Sequence, residues 1–330
     1  MFKYILKRIG ISILILLGVS LILYTLLRCM PTDFVKQRII ALNANSQDGV
    51  SEEFIQQMYK TYGLDGTILQ GYFNWLGNVC RLDFGKSFTN QREVLTEVFD
   101  PDKLGTSFLI AAVATVFEFL IAIPLGITAA THQYSIRDYV VTVLVLIGVS
   151  LPSFFFGQML KDIFANKLGW LPPSGTGDKT QTLVGLAAVN DYIRHMILPI
   201  LTVVILSIGS RMRMTRTNML EVLNSDYIRT ARAKGLKERV VIYSHAWRNA
   251  LLPVITMIIG WFLSIFGGSL VIEQMFGLNG MGKLMYASLV SQDYEVVLAM
   301  QMFYMVISLL GNLICDLSYG IVDPRVRINQ

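Results

Sequence analysis

The stretch Gly277-Leu278-Asn279-Gly280-Met281-Gly282-Lys283-Leu284 has the spacing of a phosphate-binding loop up to its last position. There Leu284 replaces the Ser or Thr hydroxyl that would hold magnesium. The stretch also follows an apolar run instead of a strand, so it reads as a Gly-rich turn whose glycines supply unusual backbone angles. The three histidines, His132, His195 and His245, are widely separated, and neither H-E-x-x-H nor G-x-S-x-G occurs. Cys29, Cys80 and Cys315 lack metal-ligand spacing and read as inert thiols, with a Cys29–Cys80 disulfide as the alternative. No catalytic residue, metal site or cofactor is therefore expected in this chain. Glu118 is the one acid well inside an apolar run, where it is costly unless it faces protein, water or a partner. A hydrogen bond to a cavity or a neighbouring subunit is one reading of it, and a role in transport coupling is the other.

The most informative polar segment is basic. Residues 211–249 hold nine Lys and Arg: Arg211, Arg213, Arg216, Arg229, Arg232, Lys234, Lys237, Arg239 and Arg248. Within it Asn224, Ser225 and Asp226 offer helix caps and Gly235 a helix stop, which predicts a short helix over Tyr227–Lys234. About two turns are not stable in isolation, so this helix must be held by something. Arg229 and Arg232 share a face at i, i+3, while Ala231 and Ala233 are small enough for another surface to approach closely. Thr230 completes the run Asp226-Tyr227-Ile228-Arg229-Thr230-Ala231-Arg232-Ala233-Lys234-Gly235. The segment lacks a nucleic-acid readout motif, so it reads as a topology-setting and docking element, a peg for a soluble partner.

What positions that peg is a set of apolar runs. In 330 residues, 53% are hydrophobic and only 15% charged, with a mean hydropathy of +0.53, where soluble domains carry about 25% charged residues. These values exclude a cytosolic enzyme, a secreted disulfide scaffold and a disordered chain. The runs are about Ile9–Leu27, Leu104–Ala130, Tyr139–Leu160, His195–Ser210, Ala250–Ile272 and Val296–Leu317. Most approach the ~20 residues a bilayer core requires. The fourth is short, and either begins earlier in 183–189 or continues past the membrane as a helix. Pro124, Pro152, Pro199 and Pro253 are expected to bend spans.

The expected fold is thus an all-α polytopic membrane protein with six transmembrane helices. Alternating connecting segments carry 15 Lys and Arg against six acids on one side, and 13 against 16 on the other. Both termini are accordingly expected in the cytoplasm. The N-terminus MFKYILKRIG imitates a secretory signal, but no small-x-small site follows, so a retained first span is expected. The division is 1–29 as the first span, 30–103 as an extracytoplasmic subdomain, 104–318 as a five-helix core containing the 211–249 loop, and 319–330 as a tail. Within 30–103, Ser51 opens a helix with Phe54, Met58 and Tyr62 on one face and Gly63 as its stop. A second helix carries Leu69, Phe73, Leu76 and Cys80 on one face, beside Tyr72 and Trp75. The subdomain either caps the span ends or docks an external partner.

Asp226–Leu236, with His245, Arg248-Asn249-Ala250 and Pro253, resembles the cytoplasmic coupling loop of binding-protein-dependent ABC importer permeases. The superfamily pattern E-A-A-x-x-x-G is kept at Ala231 and Gly235 and lost at Arg229 and Thr230. The run D-Y-x-R-T-A-R-A-K-G-L is instead similar to the peptide and nickel branch. Gly169-Trp170-Leu171-Pro172, Val271-Ile272-Glu273, Phe276, Gly280-Met281-Gly282 and Asp323-Pro324-Arg325-Val326-Arg327 extend the resemblance over most of the chain. It implies the first permease subunit of an oligopeptide or dipeptide importer, in the plasma (inner) membrane of a prokaryote. Implied partners are a homologous second permease, two cytoplasmic ATPase subunits that carry ATP and Mg, and an extracytoplasmic peptide-binding protein, with no nucleic acid. Nickel chelates or glutathione-type compounds are the alternative cargo, and a secondary carrier the alternative mechanism. The resemblance also implies that the 227–235 helix sits in a groove of the ATPase.

Overall fold

A computed structural model of the chain describes residues 2–30, 33–45, 51–61, 64–177, 184–251 and 268–322. The elements are α-helices throughout the described residues, apart from one isolated bridge between Lys86 and Glu93. They are α1 (Phe2–Arg28), α2 (Phe34–Asn45), α3 (Glu52–Thr61), α4 (Ile68–Val79), α5 (Val94–Val98), α6 (Pro101–Thr131), α7 (Ile136–Ser150), α8 (Ser153–Lys161), α9 (Leu186–Leu223), α10 (Asp226–Ala233), α11 (Glu238–Val240), α12 (Leu270–Met275), α13 (Met281–Val290) and α14 (Tyr294–Val322). Two segments, Asp162–Lys167 and Val241–Trp247, continue α8 and α11 as wider π-helical turns.

Four described helical stretches are long and apolar enough to cross a membrane: Lys7–Arg28, Val94–Thr131, Leu186–Leu223 and Tyr294–Ile314. The expected run Tyr139–Leu160 is not one helix. Pro152 lacks an amide hydrogen and holds the preceding Leu151 in extended backbone, so the run divides into α7 and α8. Pro124 and Pro199, by contrast, lie inside the uninterrupted α6 and α9. Most of the expected run Ala250–Ile272, with Pro253, lies outside the described residues. The short fourth run is lengthened at both ends: α9 has 38 residues, roughly 57 Å of helix, so Arg211, Arg213 and Arg216 stand on it and not in a loop.

The chain separates into two compact units, residues 1–104 with 284–313, and residues 105–283 with 314–326. In the first, α4 packs on α1. Tyr24, Tyr72, Trp75, Leu298 and Met302 form a buried cluster, with the Tyr24 and Tyr72 rings edge to face at 5.8 Å. The Tyr72 hydroxyl donates to the Leu17 carbonyl at 3.1 Å and lies 3.0 Å from the Ser20 hydroxyl. These bonds orient α4 with Tyr72 and Trp75 inward. Leu69 and Phe73, which share the other apolar face, are exposed. A Thr67–Gln70 capping box starts the helix. In α3, whose first turn is capped by Ser51, Met58 is buried and Phe54 exposed, while Tyr62 and Gly63 lie outside the described residues. The Tyr59 hydroxyl donates to Asp33 at 3.0 Å, and burial together with that acceptor pushes its pKa up to about 12. Cys29 and Cys80 are separate exposed thiols. Asp293 is buried where it accepts from the Ser87 hydroxyl and the amides of Phe88 and Thr89, which fastens that loop.

The second unit is built around α9. Gly126 on α6 lets the two helices touch, since a Cβ there would lie 2.6 Å from the Thr215 Cβ and 2.9 Å from the Met212 carbonyl oxygen. Two ion pairs fix the neighbours of α9. Arg216 grips Asp138 at the start of α7 through two bonds of 2.9 and 3.1 Å, and Arg211 donates to Glu118 at 2.9 Å. Glu118 is 2% exposed, so its charge is balanced almost wholly by Arg211. Removing one member of such a pair strands the other, at a cost of about 3–5 kcal/mol. Arg211→Met should therefore lower the unfolding midpoint in detergent markedly, and Glu118→Leu added to it should recover more than half the loss. A double variant no more stable than Arg211→Met would remove the pair from this account.

Candidate functional site

The short helix expected over Tyr227–Lys234 is present as α10, Asp226–Ala233, which starts one residue earlier and ends one residue earlier. Ser225 holds the extended N-cap conformation, but its hydroxyl turns back to the Val222 carbonyl and makes no cap bond. Asp226 in the first turn suits the positive end of the helix dipole. At the other end the Gly235 amide donates to the Arg232 carbonyl, and Gly235 adopts φ +74°, the left-handed stop that favours glycine. No atom lies within 4 Å of where a Gly235 Cβ would stand.

One stripe of α10 faces the protein. Ile228 is fully buried and Ala231 nearly so, in a cluster with Ile127 and Ala130 of α6, Met219 of α9, and Val241, Ala246 and Ala250. Ala231 therefore serves close approach by this chain's own helices and is not free for a partner. Ile228 was not singled out by the sequence reading, although an apolar residue three positions before Ala231 in an otherwise polar run is the signal for a buried stripe. Burying its side chain contributes about 1.5–3 kcal/mol, which a two-turn helix needs.

The other stripe is open. Asp226, Tyr227, Arg229, Thr230, Ala233, Lys234 and Gly235 are exposed, and Leu236, Val240 and Tyr243 add apolar surface beside them. Arg229 and Arg232 do not act as a matched pair. Arg232 donates to Glu238 at 2.7 Å and holds that carboxyl below its usual range, whereas Arg229 reaches only Asp226, at 3.8 Å. Such exposed pairs add little stability. A two-sided peg results: one face clamped to α6 and α9, the other presenting an aromatic ring, cations and small residues. Glu118, the remaining candidate, is paired with Arg211 as described.

The Gly-rich turn has a different explanation from phosphate binding. Glu273 of α12, 1% exposed, accepts from the Ser107 hydroxyl at 2.8 Å, the Ser269 amide at 3.1 Å and the Lys283 amide at 3.0 Å. The Ser107 oxygen in turn accepts from the Met281 amide at 2.8 Å. A Cβ on Gly280 would overlap the Glu273 carboxylate, and one on Gly282 would lie 2.5 Å from the Leu270 nitrogen. Gly277 takes φ +64°. Of these three, Gly277 is thus a matter of backbone angle, Gly280 is glycine because the chain folds onto the buried Glu273 carboxylate, and Gly282 because it passes close to the Ser269–Leu270 backbone.

The family described as "Binding-protein-dependent transport system inner membrane component" matches residues 122–328, and its N-terminal companion, "Binding-prot-dependent transport system membrane comp, N-term", matches residues 1–111. Among curated relatives, the oligopeptide transport system permease protein AppB of Bacillus subtilis is 38% identical over 327 residues, covering 99% of this chain and 100% of that one. A putative peptide transport system permease protein of Brucella abortus is 34% identical over 323 residues, covering 98% of each. The fold is also similar to that of a chain of the inward-facing MetNI methionine ABC transporter, with a TM-score of 0.51 over 67% of this chain and 94% of that one at 16% identity. The chain belongs to the family of binding-protein-dependent transport system inner membrane components.

Proposed function

We propose that this chain is one of two membrane-spanning subunits of an ATP-driven importer that takes up oligopeptides or dipeptides handed over by an extracytoplasmic binding protein. The observation that carries the proposal is α10, a polar peg whose outer face is exposed and whose inner face is locked by Ile228 and Ala231 to α6 and α9. Both termini and α10 lie in the cytoplasm, as the Lys and Arg bias of the connecting segments requires. The membrane is the prokaryotic plasma (inner) membrane. A homologous second permease completes the path, and two ATPase subunits hold the nucleotide and magnesium, so this chain hydrolyses nothing itself. The peptide class is supported by the relatives named for oligopeptide and peptide transport.

In this reading Tyr227, Arg229, Thr230, Ala233 and Lys234 seat in a groove of the ATPase, with Asp226 and Gly235 bounding the seat and Arg232 bracing it through Glu238. Ala231 works from the other side, as part of the clamp. Closure of the ATPase pair moves α10, and the clamp carries that displacement into α6 and α9, which are among the helices that line alternating access. Nucleotide drives the change only to the extent that the ATPases bind one permease state more tightly than the other.

Two experiments test the proposal. A strain lacking this chain should lose uptake of labelled tri- and tetrapeptides by at least tenfold, and the tagged chain should bring two ATPase subunits through purification in detergent. Normal peptide uptake in that strain would end the peptide reading, with loss of nickel-chelate or glutathione uptake pointing to the alternative cargo. Gly235→Trp and Ile228→Ala should separate the two faces of the peg. The first places a ring in the open seat at a left-handed position and should reduce both ATPase co-purification and uptake at least tenfold, with membrane insertion unchanged. The second loosens the clamp and should leave the ATPases bound and hydrolysing while uptake falls. Wild-type uptake by both variants would remove α10 from the mechanism.

A further inference from the structure

Within the first unit, one side of α4 is packed and the rest is open. Tyr72, Trp75 and Val79 make the packed side, in the cluster with α1 and α14. The open part divides into two flanks. At 3.6 residues per turn, Leu69 and Phe73, 60% and 64% exposed, share one flank with the exposed Cys80, while Gln70, Asn74 and Asn78 recur at i, i+4 and i+8 on the other. An apolar flank beside a polar one suits a helix that lies in a membrane surface.

Both ends of α4 stand at the ends of spans. Before it, the Leu64 carbonyl accepts from Arg28, the last residue of the Lys7–Arg28 span. After it, a Cβ on Gly85 would lie 3.8 Å from the carboxyl carbon of Glu295, in the first turn of the Tyr294–Ile314 span. Tyr24 and Leu298, which meet in the packed cluster, are each one helical turn inside those ends. The helix therefore runs along the membrane face where α1 ends and does not cross the bilayer.

Two contacts show which flank points into the bilayer. The Tyr72 hydroxyl, on the Leu69 side of the packed face, reaches the Leu17 carbonyl and Ser20, deeper in α1 than Tyr24. Gly71, on the Asn78 side, lies against the Tyr24 hydroxyl, which a Cβ there would strike. From Arg28 to Leu17 is roughly 16 Å of helix, about half of a 30 Å hydrocarbon layer. The Leu69–Phe73 flank thus faces inward, at a depth where α1 itself exposes Ile22 and Leu26. On the other flank, Gln70, Asn74 and Asn78 border a cavity of about 690 Å³ together with the carboxylates of Asp65 and Asp83, groups that call for water. Leu69 and Phe73 border it too, so the change from apolar to wet falls between Phe73 and Asn74.

We propose that α4 is an interfacial helix whose partner is the lipid bilayer: Leu69 and Phe73 sit among the acyl chains of the leaflet where α1 ends, and Gln70, Asn74 and Asn78 stay in water. Under the topology proposed above this is the outer leaflet. The seat is independent of which cargo the chain carries.

The test uses the full chain, with Cys29, Cys80 and Cys315 replaced by Ser, in lipid nanodiscs with the subunits that co-purify. A nitroxide is attached at Phe73→Cys or at Asn74→Cys, and its relaxation is read with oxygen, which concentrates in hydrocarbon, and with a water-soluble chromium complex. The ratio of oxygen to chromium accessibility should be about fivefold higher at position 73 than at position 74. Leu69→Cys and Gln70→Cys form a second neighbouring pair, which should give the same contrast if a label in the first pair prevents assembly. Equal ratios at the two positions, whether both wet or both in lipid, overturn the proposal. So does a label at position 73 closed to both reagents, the result expected if another protein covers this face.

Discussion

The burial of Ile228 and Ala231 beneath α6 and α9 is the contact on which a coupling role for this chain depends. A helix of eight residues would not persist in water on its own propensity. Docked by Ile228 and Ala231, it becomes an extension of two long helices. The left-handed Gly235 then ends it sharply, and the Arg232–Glu238 pair ties it to the following turn. A push on the exposed face is passed on because the other face has nowhere to yield.

Buried carboxylates perform the corresponding task elsewhere. Within the second unit Glu118 and Asp138 hold α6 and α7 to α9 through Arg211 and Arg216, and Glu273 gathers amides from both ends of the Gly268–Lys283 segment. Within the first unit Asp293 does the same for the 87–89 loop. A carboxylate in an apolar surrounding is tolerated only when its oxygens are saturated, so each marks a place where the backbone is fixed in one arrangement.

Much of this was legible in the sequence, for identifiable reasons. The limits of α10 were carried by local signals, an acid in the first turn and a glycine at the stop, and local signals survive folding. Glu118 was recognisable as an acid that needed a partner, but its partner Arg211 stands 93 positions away and no spacing rule reaches it. Which face of α4 packs is not legible in the sequence, because Leu69 and Phe73 are as apolar as Tyr72 and Trp75. What decided the rotation was the Tyr72 hydroxyl finding Leu17 and Ser20 on another helix. The break at Pro152 shows the converse: the same residue type is accommodated inside α6 and α9 and ends α7, so a proline's effect depends on whether neighbours can cover the carbonyl it frees.

Under the importer function proposed above, the two faces of α10 also limit how the machine can work. If the ATPase seat alone were rigid, nucleotide binding would rock a loose peg and little displacement would reach the spans. If the clamp alone were rigid, α10 would move with the spans and never with the ATPases. Transmission requires both contacts to cost more to break than the difference in free energy between the two permease states. A shift from 1:99 to 99:1 needs about 5.5 kcal/mol. Ile228 by itself contributes less than that, about 1.5–3 kcal/mol. In that function the clamp must therefore draw on the whole cluster from Ile127 to Ala250, and the force path would be a packed patch spread over α6, α9 and the 241–250 turn.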